Sequence, residues 1–425
     1  MTSLSFLKGA PVCLGVLAVG VTAASHPSWA VALAVVVLLG AVSVRAPAGV
    51  LVAVLPAAYI SWRVGPGGSG LSVADAALFM GTLASVPFVP WAEPRLRRVL
   101  LGLAVYEGTL ALAVVSHPTQ RAILEWGHRI LLVGGSLMVG TALLRLVTLR
   151  GVLKTYLGAS VAVAIASVLY TLTDSLRPAY PFGFNKNAAG LLLAFALVIT
   201  VVAPTLATFA TGLLGPLRVA LVLGLLSTQS RGAMLAIVVA VVVPELRRTD
   251  SRRGIPLVIV TSAILLAGVL LVTQREAEKT RLNPDGAQYY GIGARSGSDH
   301  EALDIWGRER LLGAGLRYFY DPMFRTSEPH NVVIVSLAET GIIGVAGLCW
   351  LLWSGWSALR GLDGQLATLA RAVLAVQVLA GMFDIFWVAG RGSFAWALIG
   401  GAVGARAIRP DGDELPMRTT AVDGE

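Results

Sequence analysis

From Pro11 to Val403 the chain is a succession of apolar runs. Most approach the roughly 20 residues that a helix needs to cross the hydrocarbon core of a bilayer. Inside lipid no water can take up stray backbone donors and acceptors, so only helices and closed barrels span it. Barrel strands would show alternating segments of about ten residues, and these runs do not alternate. The expected class is therefore all-α integral membrane, with about 12–14 transmembrane helices and one large extracytoplasmic loop. Composition points the same way: 56% of the 425 residues are hydrophobic and 13% charged, about half the charged share of a soluble domain.

Fourteen apolar segments are read near 6–24, 28–44, 47–62, 73–91, 98–115, 130–147, 152–172, 187–209, 216–229, 231–244, 255–273, 331–353, 370–388 and 391–406. Taken alone, residues 10–24 would serve as a signal-peptide core, but the similar segments that follow make it the first span. Cys13 and Cys349 both fall inside spans, and no disulfide framework or metal site is suggested. The net charge of +9 is read by position and not as a nucleic-acid footprint. With both termini inside, 18 of the 33 basic residues fall on the inner side. Of the other 15, eight lie in one long loop, and long loops cross largely regardless of charge. The expected place is the cytoplasmic (inner) membrane, multi-pass, with both termini cytoplasmic. The ninth and tenth spans meet at Ser227-Thr228-Gln229-Ser230-Arg231-Gly232, as a tight hairpin or a broken helix, with Arg231 at or just below the outer face.

The long outer loop, residues 274–329, carries eight basic, nine acidic and seven aromatic residues. Loops of this length are functional or disordered, and the aromatics together with Leu311-Leu312-Gly313-Ala314-Gly315 argue against disorder. A folded cap with only a packing role is the plain alternative. Helical spacing through Leu303, Trp306 and Arg310 predicts a short surface helix over 299–312. The loop ends in Glu328-Pro329-His330-Asn331, where Pro opens the next helix. His330 and Asn331 then sit at a helix N-terminus, which favours anions and depresses a histidine pKa. A neutral imidazole there serves as a general base or as a partner for a phosphate oxygen. A capping Asn beside an incidental His is the competing reading.

An arginine at membrane depth, such as Arg231, is a functional-site hypothesis by default; a snorkelling interface residue is its plain counterpart. The outer segment 173–187 adds Arg177, Tyr180, Asn185, Lys186 and Asn187. Cations converging from several loops suit a phosphate-bearing substrate. His117, Arg121, His128 and Arg129, in the segment 116–129, are not distinguishable from a solvated loop.

These residues resemble a family. His330-Asn331, nine residues, then Gly341-Ile342-Ile343-Gly344 is similar to the histidine signature of O-antigen ligases, which opens the span after the large periplasmic loop. Ser230-Arg231-Gly232 resembles the start of the shared ligase and polymerase domain. Ile305-Trp306 through Leu312-Gly313-Ala314-Gly315 to Tyr318-Phe319 is similar to the family's tryptophan and then Pro-Leu-x-Gly-x-Gly pattern. Asn185-Lys186-Asn187 before an apolar run fits as well, so the likeness covers roughly 185–350. Family members often place an arginine shortly before the tryptophan, where this chain has Glu301 and Ala302; Arg295 or Arg308 is left to take that part. Arg325, fifteen residues, then Gly341 fits an arginine–glycine spacing of the polymerases, so the motifs do not separate ligase from polymerase.

The resemblance implies a GT-C-like membrane glycosyltransferase. Its regions would be a transmembrane bundle at 1–172, an O-antigen ligase-like domain at 173–406 and a disordered cytoplasmic tail at 407–425. It implies an undecaprenyl-diphosphate-linked glycan donor and a glycan, lipid or protein acceptor in the bilayer, with no cofactor or metal and no nucleic acid. His330 and Glu328 would be catalytic, with His330 as base or phosphate contact and Glu328 orienting it or acting as base. Arg231 and Arg325 would hold the diphosphate, with Arg295, Arg317 and Asn331 in support. The alternative is a transporter or flippase of lipid-linked oligosaccharide. Against it, the sequence gives no clear internal repeat and no paired ionisable residues in mid-span.

Overall fold

The computed structural model describes residues 45–60, 72–146, 149–174, 176–206, 211–246, 255–282, 291–320, 328–384, 387 and 390–408. The expected spans 6–24 and 28–44, the tail beyond Ile408 and the candidate Arg325 lie outside the described residues. The helices are α1 Pro47–Ala57, α2 Val73–Ser85, α3 Pro94–Ser116, α4 Gln120–Ile130, α5 Ser136–Leu146, α6 Leu149–Thr173 and α7 Lys186–Val202. They continue as α8 Leu214–Thr228, α9 Arg231–Leu246, α10 Ile255–Leu282, α11 Gly291–Arg308, α12 Val332–Ala358, α13 Gln365–Gly381 and α14 Phe394–Ile408. Among the described residues four helical stretches are long and apolar enough to cross a membrane: α3, α4 running into α5, α6 and α12. Shorter apolar helices accompany them. The all-α integral membrane class holds.

Two segments differ from the sequence reading. The stretch 116–129, expected as an outer loop, is mostly α4. Its Thr119 side chain accepts the Ala122 N–H at 3.0 Å as a cap, and a π-helical turn, Leu131–Gly135, carries it into α5. The polar residues of α4 find partners inside the protein, which a hydropathy reading does not detect. Secondly, α10 continues past residue 273 to Leu282, and the surface helix expected at 299–312 is α11. The joint between α8 and α9, open in the sequence as a tight hairpin or a broken helix, is a sharp break at which Gln229 takes a left-handed conformation (φ 53°) to end α8, and both helices pack on α7.

Helix α7 lies at the centre, buried from Ala188 to Thr200. A helix that is apolar all round belongs in a core, and Phe195 stacks on Phe394 of α14 with ring centroids 5.0 Å apart. Where α5 meets α14, Gly140 and Gly400 let the backbones touch. A Cβ at either would collide with a carbonyl of the other helix, that of Ala397 or Leu137. Small residues at such contacts replace the hydrophobic drive that lipid does not supply between helices. Leu101, Leu112, Val115, Leu169, Leu172, Leu270 and Leu271 are exposed, as faces turned to lipid would be.

Helix α12 is broken at Gly341, whose φ of 62° and ψ of −167° fall in a region essentially restricted to glycine. A break at membrane depth must have its freed backbone groups satisfied. The loop Arg310–Gly315 inserts there and does so. Ala314 N–H donates to Ala338 O (2.8 Å) and Gly315 N–H to Glu339 O (3.0 Å). In return, Ile342 N–H donates to Arg310 O (3.0 Å) and Ile343 N–H to Leu311 O (3.3 Å). At Gly313 a Cβ would strike the Glu339 and Thr340 backbone. The two glycine patterns noted in the sequence are the two halves of one joint.

Candidate active site

The N-terminal ends of α7 and α9, the C-terminal end of α13, Arg295 of α11 and the segment leading into α14 enclose a cleft of about 530 Å³. Four basic side chains line it, Lys186, Arg231, Arg295 and Arg391, against one carboxylate, Asp384. Arg391 is buried and paired with Asp384, and its Nε is buried with no partner. Two helix N-termini open on the same space, which adds partial positive charge and oriented N–H groups. Among the described residues its lining carries more basic than acidic side chains.

His330 stands at its edge. Its pKa is lowered by burial and by Arg295, against the opposing pull of Asp384 and a hydrogen bond with the Glu328 backbone. The imidazole is therefore neutral at pH 7, and its Nδ1 is buried without a partner. Asp299 of α11 is raised by burial, with His330 and Arg295 opposing. Asn331 caps α12 through its side-chain oxygen, which accepts from Val333 N (2.9 Å) and Ile334 N (3.3 Å). That cap fixes the turn from which His330 projects.

A second cleft, of about 310 Å³, is lined by Glu125, Arg129, Arg317, Glu328, Val332, Val335, Glu339 and Trp387. Arg129 bonds Glu125 (3.0 Å), Glu339 (3.2 Å) and the Tyr106 hydroxyl (3.0 Å), and lies 5.2 Å from the Trp387 ring centroid. Arg317 pairs with Glu125 at 2.7 Å and stacks on Tyr320 at 4.4 Å. The Tyr320 hydroxyl donates to Glu328, whose carboxyl is raised by burial against the lowering effect of Tyr320 and Arg317. His128 bridges Glu125 and Asp75, the latter at 2.8 Å. Gly381, Phe383, Asp384 and Arg391 line the first cleft, and Trp387 lines the second.

Residues 216–349 match the O-antigen ligase family model. No curated protein matches the chain. The O-antigen ligase match takes in the Ser230-Arg231-Gly232, tryptophan and His330 motifs, and stops short of Asn185-Lys186-Asn187. It covers α8 and α9, the loop and the broken part of α12, including the Gly313–Gly341 joint. The family resemblance read from the motifs therefore holds over that segment, and with it a membrane function of the O-antigen ligase or polymerase type.

Of the candidates inside the O-antigen ligase segment, Arg231 and Arg295 share the first cleft, and His330 stands beside it. Arg317 lies apart, committed to Glu125, and the Glu328 carboxylate opens on the second cleft. The oxygen of Asn331 is taken up by its cap. Lys186 joins the basic cleft from outside the matched segment, whereas Arg177 pairs with Asp174 at 3.7 Å on the surface. Sequence reasoning missed Arg391, Glu125 and Glu339, and named Arg129 without being able to tell it from a solvated loop. The statement that no ionisable residues pair in mid-span is corrected by Arg129 and Glu339, which meet between α4 and α12. Single charges inside apolar runs were the available signal, for Glu107 and Glu339 alike.

Proposed function

We propose that the chain is a membrane glycosyltransferase that transfers or polymerises an undecaprenyl-diphosphate-linked glycan at the outer face of the cytoplasmic membrane. It would act as a polymerase or ligase of O-antigen, capsular or exopolysaccharide type. The observation that carries this reading is the cleft with four basic side chains and two helix N-termini beside a neutral His330. Arg231 and Arg295, with Lys186 and Arg391, bind the donor diphosphate, and Arg325 joins them on the strength of its spacing. His330 hydrogen-bonds a phosphate oxygen. Glu328 takes the proton of the acceptor hydroxyl, whose oxygen bonds to the anomeric carbon. The anomeric C–O bond to the diphosphate breaks, and its electrons leave on the diphosphate, where fixed cations stabilise the growing charge. Arg317 and Asn331 position Glu328 and His330.

Both termini then lie in the cytoplasm. That sidedness is supported by arginines on the opposite helix ends: Arg95 donates to the Ala358 carbonyl at 2.9 Å and Arg371 to that of Leu359 at 3.3 Å. Such cations complement helix C-termini. Transfer by reconstituted protein tests the proposal. His330→Ala and Arg231→Ala are each expected to lower it by about a hundredfold or more, and near-wild-type rates in correctly inserted protein would sink the assignment. Relocation of unmodified lipid-linked glycan, without any change in its length or attachment, would mark a flippase instead.

A further inference from the structure

Helix α12 exposes a stripe of indoles along its inner half. Trp350, Trp353 and Trp356 are 50%, 51% and 40% exposed and follow one another at three-residue steps, so they share one face. Among the described residues their N–H groups have no acceptor. Tryptophan at a membrane boundary ordinarily forms a belt at headgroup level. This stripe goes deeper. Trp350 lies ten residues from Arg360, about 15 Å along the helix, which is about half the thickness of a hydrocarbon core.

At its end the stripe meets a cluster of arginines. The Arg360 guanidinium lies 4.4 Å from the Trp353 ring centroid. Arg95 of α3 donates to the carbonyls of Ala358 (2.9 Å) and Arg360, and the charges of Arg406 and Arg98 both act on it. Arg98, Arg360 and Arg406 are exposed. The carboxylates close by in the chain are Glu93, whose side chain accepts the Arg95 backbone N–H at 3.3 Å, and Asp363. Among the described residues neither forms an ion pair with any of the four arginines. Asp411, Asp413 and Glu414 of the tail lie outside the described residues and are the competing anions.

An anionic phospholipid matches both halves of this surface. Its phosphate suits the guanidinium forks, its ester oxygens can accept from indole N–H groups, and its chains can lie on the rings. Basic pockets on the cytoplasmic side of membrane proteins take such headgroups. A second copy docked through the stripe about a two-fold axis would instead set the arginine cluster against itself.

We infer that the indole stripe and the arginine cluster form a binding site for an anionic phospholipid of the phosphatidylglycerol kind, its phosphate held by Arg360, Arg98 and Arg406 and its chains lying on Trp350, Trp353 and Trp356. Arg95 is committed to backbone carbonyls and positions Arg360. The site shares no lining residue with either cleft, so it stands independently of the proposed glycosyl transfer. With the sidedness proposed above, the lipid comes from the inner leaflet.

The test uses full-length protein in phosphatidylcholine vesicles, titrated with either phosphatidylglycerol or phosphatidylcholine brominated in its acyl chains. Bromine quenches the indoles it touches, and subtracting the signal of a combined Trp350→Leu, Trp353→Leu, Trp356→Leu variant isolates the stripe. Wild type is expected to reach half-quenching at about a tenfold lower mole fraction of the brominated phosphatidylglycerol. Arg360→Gln should cut that preference about fivefold and leave quenching by phosphatidylcholine unchanged. Should it fail to insert, Arg98→Gln takes its place with the same expectation. Equal quenching by the two lipids in wild type would overturn the site. So would a preference seen only in the Asp411→Asn, Asp413→Asn, Glu414→Gln protein, since tail carboxylates would then fill the cluster. High-yield crosslinking through the exposed Cys349 in a Cys13→Ser background would overturn it too, by putting a second copy on the stripe.

Discussion

Tyr320 illustrates how one side chain joins two parts of this site. Its ring carries the guanidinium of Arg317, its carbonyl accepts from Arg121, and its hydroxyl donates to Glu328. Burial raises the Glu328 carboxyl, and the Tyr320 hydrogen bond opposes that rise. A base must be ionised to accept a proton, so activity that depends on Glu328 is present above its pKa and lost as pH falls through it. Tyr320→Phe removes a contribution that lowers this pKa. The acid limb of the pH–rate profile is therefore expected to move to higher pH, with the plateau rate nearly kept. An unmoved limb in a folded Tyr320→Phe protein would mean that Glu328 is not the titrating base. At this scale the sequence made Arg231 and His330 legible, because each sits in a short motif at the end of an apolar run. Arg129 and Glu339 were not legible. Glu339 is one charge in a window averaged as apolar, Arg129 falls in a polar stretch that reads as a loop, and their pairing depends on the meeting of α4 with α12, which no local pattern encodes.

Among the helices, α12 carries the most information about how the fold works. Its outer part presents Val332, Val335 and Glu339 to the second cleft, and its inner part packs against α3 through Gly347 and Thr109. Between them Gly341 makes the bend into which Leu311–Gly315 fits. Gly341→Ala would put a methyl group on the Leu311 backbone and force a conformation costing about 1–3 kcal/mol before any clash. A lower Tm in detergent and loss of transfer are expected together. An unchanged Tm would show that the helix can straighten and release the loop. The spans themselves were legible, since a run of apolar residues is a direct record of lipid contact or core. Helix α4 was not, because its polar face is satisfied by protein, and the same residues in water would read as a loop.

For the molecule as a whole, the sidedness inferred from basic residues can be checked without any glycan. In a Cys13→Ser, Cys349→Ser background, Ser296→Cys on α11 and Asp363→Cys between α12 and α13 are both exposed positions. A membrane-impermeant thiol reagent applied to intact cells is expected to label the first and not the second; the reverse pattern would invert the topology. Because Arg310–Gly315 is fastened into α12, the stretch from Leu316 to Thr340 forms a closed circuit that begins and ends at the same joint. Residues added between Leu282 and Gly291, ahead of α11, lie outside that circuit. Residues added within it enlarge a circuit that carries Arg317, Glu328 and Glu339, which line the second cleft. Drift in loop length should therefore be harmless on one side of the joint. On the other it would be a means of changing which glycans fit.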